Sequence, residues 1–304
     1  MRNRYEHNGL VWVDLEVPNE TEVREVMEEF GIDPSVAEEL LVPSLKPKAE
    51  PYRNYLYLIL HFPAFKHTHT DNRDQEIDFI VGKRFLITAR YDTIDPLHKF
   101  AKVFEVHSIL EKKDNVGHGG FLLYHMLRKL YKAVDHELDF IRDELTDTER
   151  KIFEGQERKM VIKLSELSRT LLLFKQALAM HYTTLESFEH AAGRFFGSTF
   201  SYQVRSVIGL YQRIQADIAG NLDTLSELRE TNNSLLSAKQ NEIMKTLTMM
   251  ALTTFPLTLI AAIFGMDTVH TPILGSPFDF WVVLGMMLTV IGILFAFFKH
   301  RGWL

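Results

Sequence analysis

Apolar positions are distributed unevenly along this chain. Two uncharged runs lie at the C-terminal end, Thr246 to Met266 and Phe280 to Phe298, of 21 and 19 residues. A bilayer core of about 30 Å needs roughly 20 apolar residues as helix, so both runs read as transmembrane helices. The alternative is a pair of buried core helices, but two such runs end to end are rare in soluble domains. Lys239 and Lys245 precede the first run, and Lys299, His300 and Arg301 follow the second. The stretch between them, Asp267 to Asp279, has neither Lys nor Arg. Positive charge is retained on the cytoplasmic side, which places both termini inside and the loop outside. The start, Met1-Arg2-Asn3-Arg4, leads into no apolar stretch, so no signal peptide is expected.

Upstream of these runs the pattern is mixed, then helical. Leu10 to Leu15 and Tyr55 to Phe62 read as strands, and Ile77 to Val81 with Phe85 to Thr88 read as a hairpin around Gly82-Lys83-Arg84. Glu20 to Phe30 is an amphipathic helix ended by Gly31, and Pro34 opens another. From about Gly120 onward the period is helical, with breaks at Glu154-Gly155 and around Gly193 and Gly197. Three long helices follow, near 120–153, 157–192 and 199–264. The last would reach roughly 100 Å at 1.5 Å per residue. Such a helix is not stable alone, so other helices or other copies must cover its apolar face. The expected organisation is an α+β cytoplasmic domain (1–118), long cytoplasmic helices including the start of a stalk (119–243), a first span (244–266), an external loop (267–278), a second span (279–298) and a basic tail (299–304).

Composition narrows the chemistry. The 304 residues are 46% apolar, 24% charged and include 22 phenylalanines, enough for a large core and too apolar for disorder. There is no cysteine, which removes disulfides, thiolate nucleophiles and thiolate metal sites. Net charge is −6, which argues against a general nucleic-acid binder. No arrangement suggests a nucleophile–base pair, so no enzyme is expected. His67-Thr68-His69 with Asp71 admits zinc, but a His-x-His in a polar loop is more often unremarkable. Gly117-His118-Gly119-Gly120 fits neither phosphate-loop nor dinucleotide spacing, and reads as a loop leading into a helix.

Within the first span, Asn241, Met244, Thr248, Ala251, Phe255, Thr258 and Ala262 recur at spacings of three and four, on one helix face. That face carries the polar and small residues of an otherwise apolar segment. It suits either a pore lining or ordinary helix packing, which also favours small residues in membranes.

The same segment carries a motif. Asn241-Glu242-Ile243-Met244-Lys245-Thr246-Leu247-Thr248 is followed by Pro256-Leu257-Thr258 and, at the outer end, by Gly265-Met266-Asp267. This resembles the CorA family of divalent-cation transport proteins, whose signature ends in Gly-Met-Asn. Asp267 departs from that Asn, and Thr271-Pro272-Ile273-Leu274 stands where the family often has Met-Pro-Glu-Leu. The resemblance covers most of the chain. It implies a homopentameric channel in the cytoplasmic (inner) membrane, in contact with lipid, with the first span around a central pore. By carry-over, Asn241, Met244, Leu247 and Thr258 line that pore and Gly265, Met266 and Asp267 form the selectivity filter. The implied function is passage of Mg2+, with Co2+ or Ni2+ also admitted, down its electrochemical gradient.

Asp267 would place up to five carboxylates around one axis, where like charges titrate as a coupled unit. Some family members with altered tripeptides are zinc transporters that couple to protons, so Zn2+ is the alternative cargo. A non-conducting membrane-anchored sensor or scaffold is the alternative of another class. Rings of Met244 and Leu247 would make an apolar gate, since apolar constrictions close by dewetting. Asp223, Glu227 and Glu230 share a stalk face. The resemblance implies regulatory metal between subunits there, against the alternative of a solvated face; its acidic partner from the α+β domain does not transfer clearly.

Overall fold

The computed structural model describes residues 1–7, 9–44, 46–64, 75–92, 94, 96–97, 100, 118–266 and 278–303. These divide into two compact units, Met1–Arg229 and Glu230–Leu304.

The first unit is built on six strands: β1 (Arg2–His7), β2 (Leu10–Glu16), β3 (Lys48–Pro51), β4 (Tyr55–Phe62), β5 (Gln75–Gly82) and β6 (Phe85–Arg90). Their spatial order is β1-β2-β6-β5-β4-β3. Only β2 and β6 pair in parallel; every other neighbour is antiparallel. Helices α1 (Glu20–Phe30) and α2 (Pro34–Glu39) cover one face. Asn19 and Glu22 form a reciprocal capping box at the start of α1, and Gly31 ends it at φ +64°. Val23, Val26 and Val36 bury there against Val13, Leu15, Tyr57 and Ile80 of the sheet. The central strands β4 and β5 are covered on both faces, which explains why Tyr55 to Phe62 is apolar without alternation.

Four long helices continue the chain: α3 (Gly119–Phe153), α4 (Glu157–Ala177), α5 (His181–Phe196) and α6 (Ser198–Phe264). Gly119 begins α3 hard against the β5–β6 turn. A Cβ there would lie 2.3 Å from the Phe85 carbonyl oxygen, and its N–H donates to Lys83. The glycine pair is thus a docking device for the helix, in keeping with the loop reading.

One expectation is corrected, and two strands are new. The helix expected over 157–192 is two helices, broken at Leu178–Met180. No Gly or Pro marks the break; tertiary hydrogen bonds hold it. His181, fully buried, hydrogen-bonds the Tyr131 hydroxyl at 2.7 Å through Nδ1 and donates Nε2–H to the His61 carbonyl at 2.8 Å. Tyr211 donates its hydroxyl to the Leu178 carbonyl at 3.1 Å. Burial pulls the His181 pKa down to about 3, so the ring is neutral at pH 7. The edge strands β1 and β3 were not expected either. Arg2-Asn3-Arg4-Tyr5-Glu6-His7 and Lys48-Ala49-Glu50-Pro51 are polar because edges are protected by charge and proline.

The second unit holds the C-terminal part of α6 and α7 (Asp279–His300). Both helices contain a window long and apolar enough to cross a membrane, and no residue of either window is buried within the chain.

Candidate functional site

The first span is the part of α6 that carries the motif, and its burial pattern divides it. Lys245, Met249, Thr253, Pro256, Leu257, Ile260 and Phe264 are half-buried, recurring at helical spacing. At 3.6 residues per turn, the motif face lies on the opposite side of the helix. Asn241, Met244, Leu247, Thr248, Phe255, Thr258, Ala262, Gly265 and Met266 are all exposed, and Ala251 is half-buried. Met244 is 55% exposed, Leu247 53% and Phe255 72%. Among the described residues, nothing covers these side chains. Met250, Leu252 and Leu259 are exposed as well, so exposure is wider than the motif face.

Hydroxyls on this face already have their donor engaged. Thr248 donates to the Met244 carbonyl at 2.7 Å and Thr258 to the Thr254 carbonyl at 2.9 Å. Each oxygen keeps its lone pairs, so the face offers acceptors. Water bound to a divalent cation is a hydrogen-bond donor, so acceptors are the matching chemistry. The helix ends at Phe264, and the residue after it sits where a side chain would be crowded. Gly265 donates to the Ala261 carbonyl at 2.8 Å, and a Cβ on Gly265 would lie 2.9 Å from that oxygen. Met266 follows in a tightened turn, with its N–H 3.5 Å from the Ile263 carbonyl. Asp267, Pro272 and the rest of 267–277 lie outside the described residues, as do His67 and His69.

The opposite end of the hairpin is tied. Gly302 adopts φ +66°, which turns the chain so that Trp303 donates its backbone N–H to the Phe298 carbonyl at 2.9 Å. The two rings stack at 6.0 Å. This is a glycine helix stop with its accompanying apolar contact. Lys245 donates Nζ–H to the Gly302 carbonyl at 3.3 Å, joining the base of the first span to the tail of the second. By charge alone Lys245 is only a flanking cation; Gly302, just past the second apolar run, was the available signal for the turn.

On the stalk, Asp223, Glu227 and Glu230 are each exposed. Among the described residues, no group of three or more His, Asp or Glu side chains is arranged to hold a metal ion.

The CorA-like Mg2+ transporter protein family matches residues 7–300. A cobalt/magnesium transport protein CorA of Methanocaldococcus jannaschii is 26% identical over 308 residues, covering 99% of this chain and 93% of that protein. The cobalt/magnesium transport protein CorA of Thermotoga maritima is 26% identical over 297 residues, covering 96% and 83%. Among solved structures, the complete CorA magnesium transporter from Methanocaldococcus jannaschii superposes with a TM-score of 0.83 at 22% identity, over 99% of this chain and 93% of that one. The fold is therefore shared along the whole length, spans included.

Proposed function

The chain belongs to the CorA-like Mg2+ transporter family, and on that premise we propose that it conducts Mg2+ through a pore lined by the motif face of α6. The observation that carries this reading is the exposed face itself. Small, hydroxyl and amide groups recur there at helical spacing, opposite the half-buried stripe and ending at a glycine stop. Copies of the same chain, five in our reading, would bury that face around an axis. Magnesium dehydrates reluctantly, so a ring of acceptors suits the hydrated ion. An inside-negative potential of 100 mV would supply about 4.6 kcal/mol per divalent ion, from about 2.3 per charge, so no ATP site is needed. In this reading Gly265, Met266 and Asp267 form the outer filter. Met244 and Leu247 form the apolar gate. Asp223, Glu227 and Glu230 take regulatory metal between subunits. Both termini are cytoplasmic and lipid surrounds the spans.

Asp267 favours a second reading, a proton-linked Zn2+ transporter. Flux into proteoliposomes separates the two when Mg2+, Zn2+ and a proton gradient are varied independently. Potential-driven Mg2+ entry indifferent to the proton gradient supports the channel. Zn2+ entry that requires the proton gradient supports the second reading, and no flux of either ion would leave a non-conducting sensor. Asp267→Asn is expected to flatten the pH dependence of flux, because an amide ring does not titrate. An unchanged pH profile and ion preference would remove Asp267 from the filter.

A further inference from the structure

The first unit contains a buried pair of acids that transport does not use. Glu76 and Asp78 stand two residues apart on β5, hence on the same face of the sheet, and they are 5% and 1% exposed. We propose that these two carboxyls bind one proton between them, and that this proton-binding site fastens the α2–β3 corner to the sheet.

The hydrogen-bond inventory supports the proposal. Glu76 is held as a carboxylate. Its Oε1 accepts from the Ser44 backbone N–H at 2.9 Å and from the Ser44 hydroxyl at 3.1 Å, while Oε2 lies 3.0 Å from His61 Nε2. Asp78 is held differently. Oδ2 accepts from the Tyr57 hydroxyl at 3.1 Å and the Tyr91 hydroxyl at 3.4 Å, but Oδ1 has no N–H or O–H donor. His61 Nε2 also lies 3.0 Å from the Ser44 carbonyl, and Glu76 Oε2, like Asp78 Oδ1, has no hydrogen-bond partner, so two buried carboxyls on one sheet face each keep an unpaired oxygen, an arrangement that favours a proton on one of them. Burial, then the neighbouring Glu76 charge, raise the Asp78 pKa well above the ordinary carboxylate range. Burial also pushes Glu76 upward, but the bonds from His61 and Ser44 outweigh it and leave Glu76 lowered. Asp78 is therefore the acid that keeps the proton in our reading.

Charged and titratable groups approach the pair from several elements. From β4 come His61 and Tyr57. From α2 comes Glu39, whose carbonyl accepts from Tyr91 at 3.3 Å. From β3 come Lys48, 5.0 Å over the Tyr57 ring and paired with Glu39 at 2.7 Å, and Glu50, paired with Lys48 at 3.3 Å. From α5 comes His181, which reaches the His61 carbonyl and is neutral across this range. Among the described residues, no cation bonds to Asp78 directly. When the proton leaves, two carboxylates adjoin in a site closed to water. Ser44 and His61 are the contacts through which that repulsion is relieved.

The sign follows from linkage. A carboxyl whose closed-state pKa is raised contributes stability fully present below its ordinary pKa of about 3.9 and lost as pH rises through the closed-state value. Opening of the Ser44 corner should grow about tenfold per pH unit over that interval, then level off.

The experiment uses the full chain in detergent, with infrared spectra and amide hydrogen exchange across pH. The expected spectrum at neutral pH contains the C=O stretch of a protonated carboxyl, lost in one step as pH rises and absent in Asp78→Asn. Corrected exchange at the Ser44 amide should level off at that same step, and should lack the tenfold-per-unit rise in Asp78→Asn. If that variant does not fold, Tyr91→Phe serves instead. It removes a donor to the Asp78 carboxylate and should move the step to higher pH. No protonated carboxyl at neutral pH, a band that survives Asp78→Asn, or a step unmoved by Tyr91→Phe would overturn the proposal. None of these readouts depends on transport.

Discussion

Replacing His181 by glutamine isolates the effect of one buried ring on acid stability. The native ring is neutral and fully buried, with one nitrogen donating to the His61 carbonyl and the other bonded to the Tyr131 hydroxyl. Its pKa falls from 6.5 to about 3, chiefly because burial penalises the charged ring. The unfolded chain therefore binds a proton there that the folded chain refuses. The stability contributed by the neutral ring is fully present above pH 6.5 and is lost as pH falls toward about 3. The slope is about 1.36 kcal/mol per pH unit, so a descent from pH 7 to pH 5 should cost about 2 kcal/mol through this residue alone. Glutamine offers one donor and one acceptor without titrating. The assay is denaturant unfolding of the purified chain at pH 7 and pH 5. His181→Gln is expected to be somewhat less stable at pH 7, yet to lose about 2 kcal/mol less on acidification. Parallel pH profiles for the two proteins would show that His181 carries no linked proton, and the account of its neutral burial would fail.

Two further outcomes concern the first span. Gly265→Ala places a methyl 2.9 Å from the Ala261 carbonyl oxygen, which belongs to the backbone and yields poorly. Overpacking of this kind costs about 1–3 kcal/mol, so thermal midpoint and flux should both fall; unchanged values would mean the helix end tolerates a side chain. Leu247→Gly removes an exposed apolar side chain from the proposed gate and should raise ion leak; equal or lower flux would place the gate elsewhere.

Local pattern made much of the architecture legible. Both spans, the strand from Tyr55 to Phe62, the helix from Glu20 to Phe30 with its Gly31 stop, and the start of α3 beside Gly119 are each specified by a few adjacent residues. Period and capping act over one or two turns, so such elements are written where they form. The motif face of α6 was legible for the same reason, since a 3.6-residue period is visible in the order of residues alone. What covers that face was not, because the order of residues along one chain does not say which surface packs on it.

The sequence alone determined which segments are apolar enough to span a bilayer, which end keeps the positive charge, and where the family motif sits. Tertiary structure decided the rest. The break at Leu178–Met180 has no glycine or proline; it exists because His181 and Tyr211 find partners far away in the chain. The parallel pairing of β2 with β6, the polar edge strands and the bonds from Ser44 to Glu76 and from Tyr57 to Asp78 likewise depend on contacts between distant segments. A buried donor or acceptor must be satisfied by whichever group the fold brings near it, and that pairing is a property of the packed molecule.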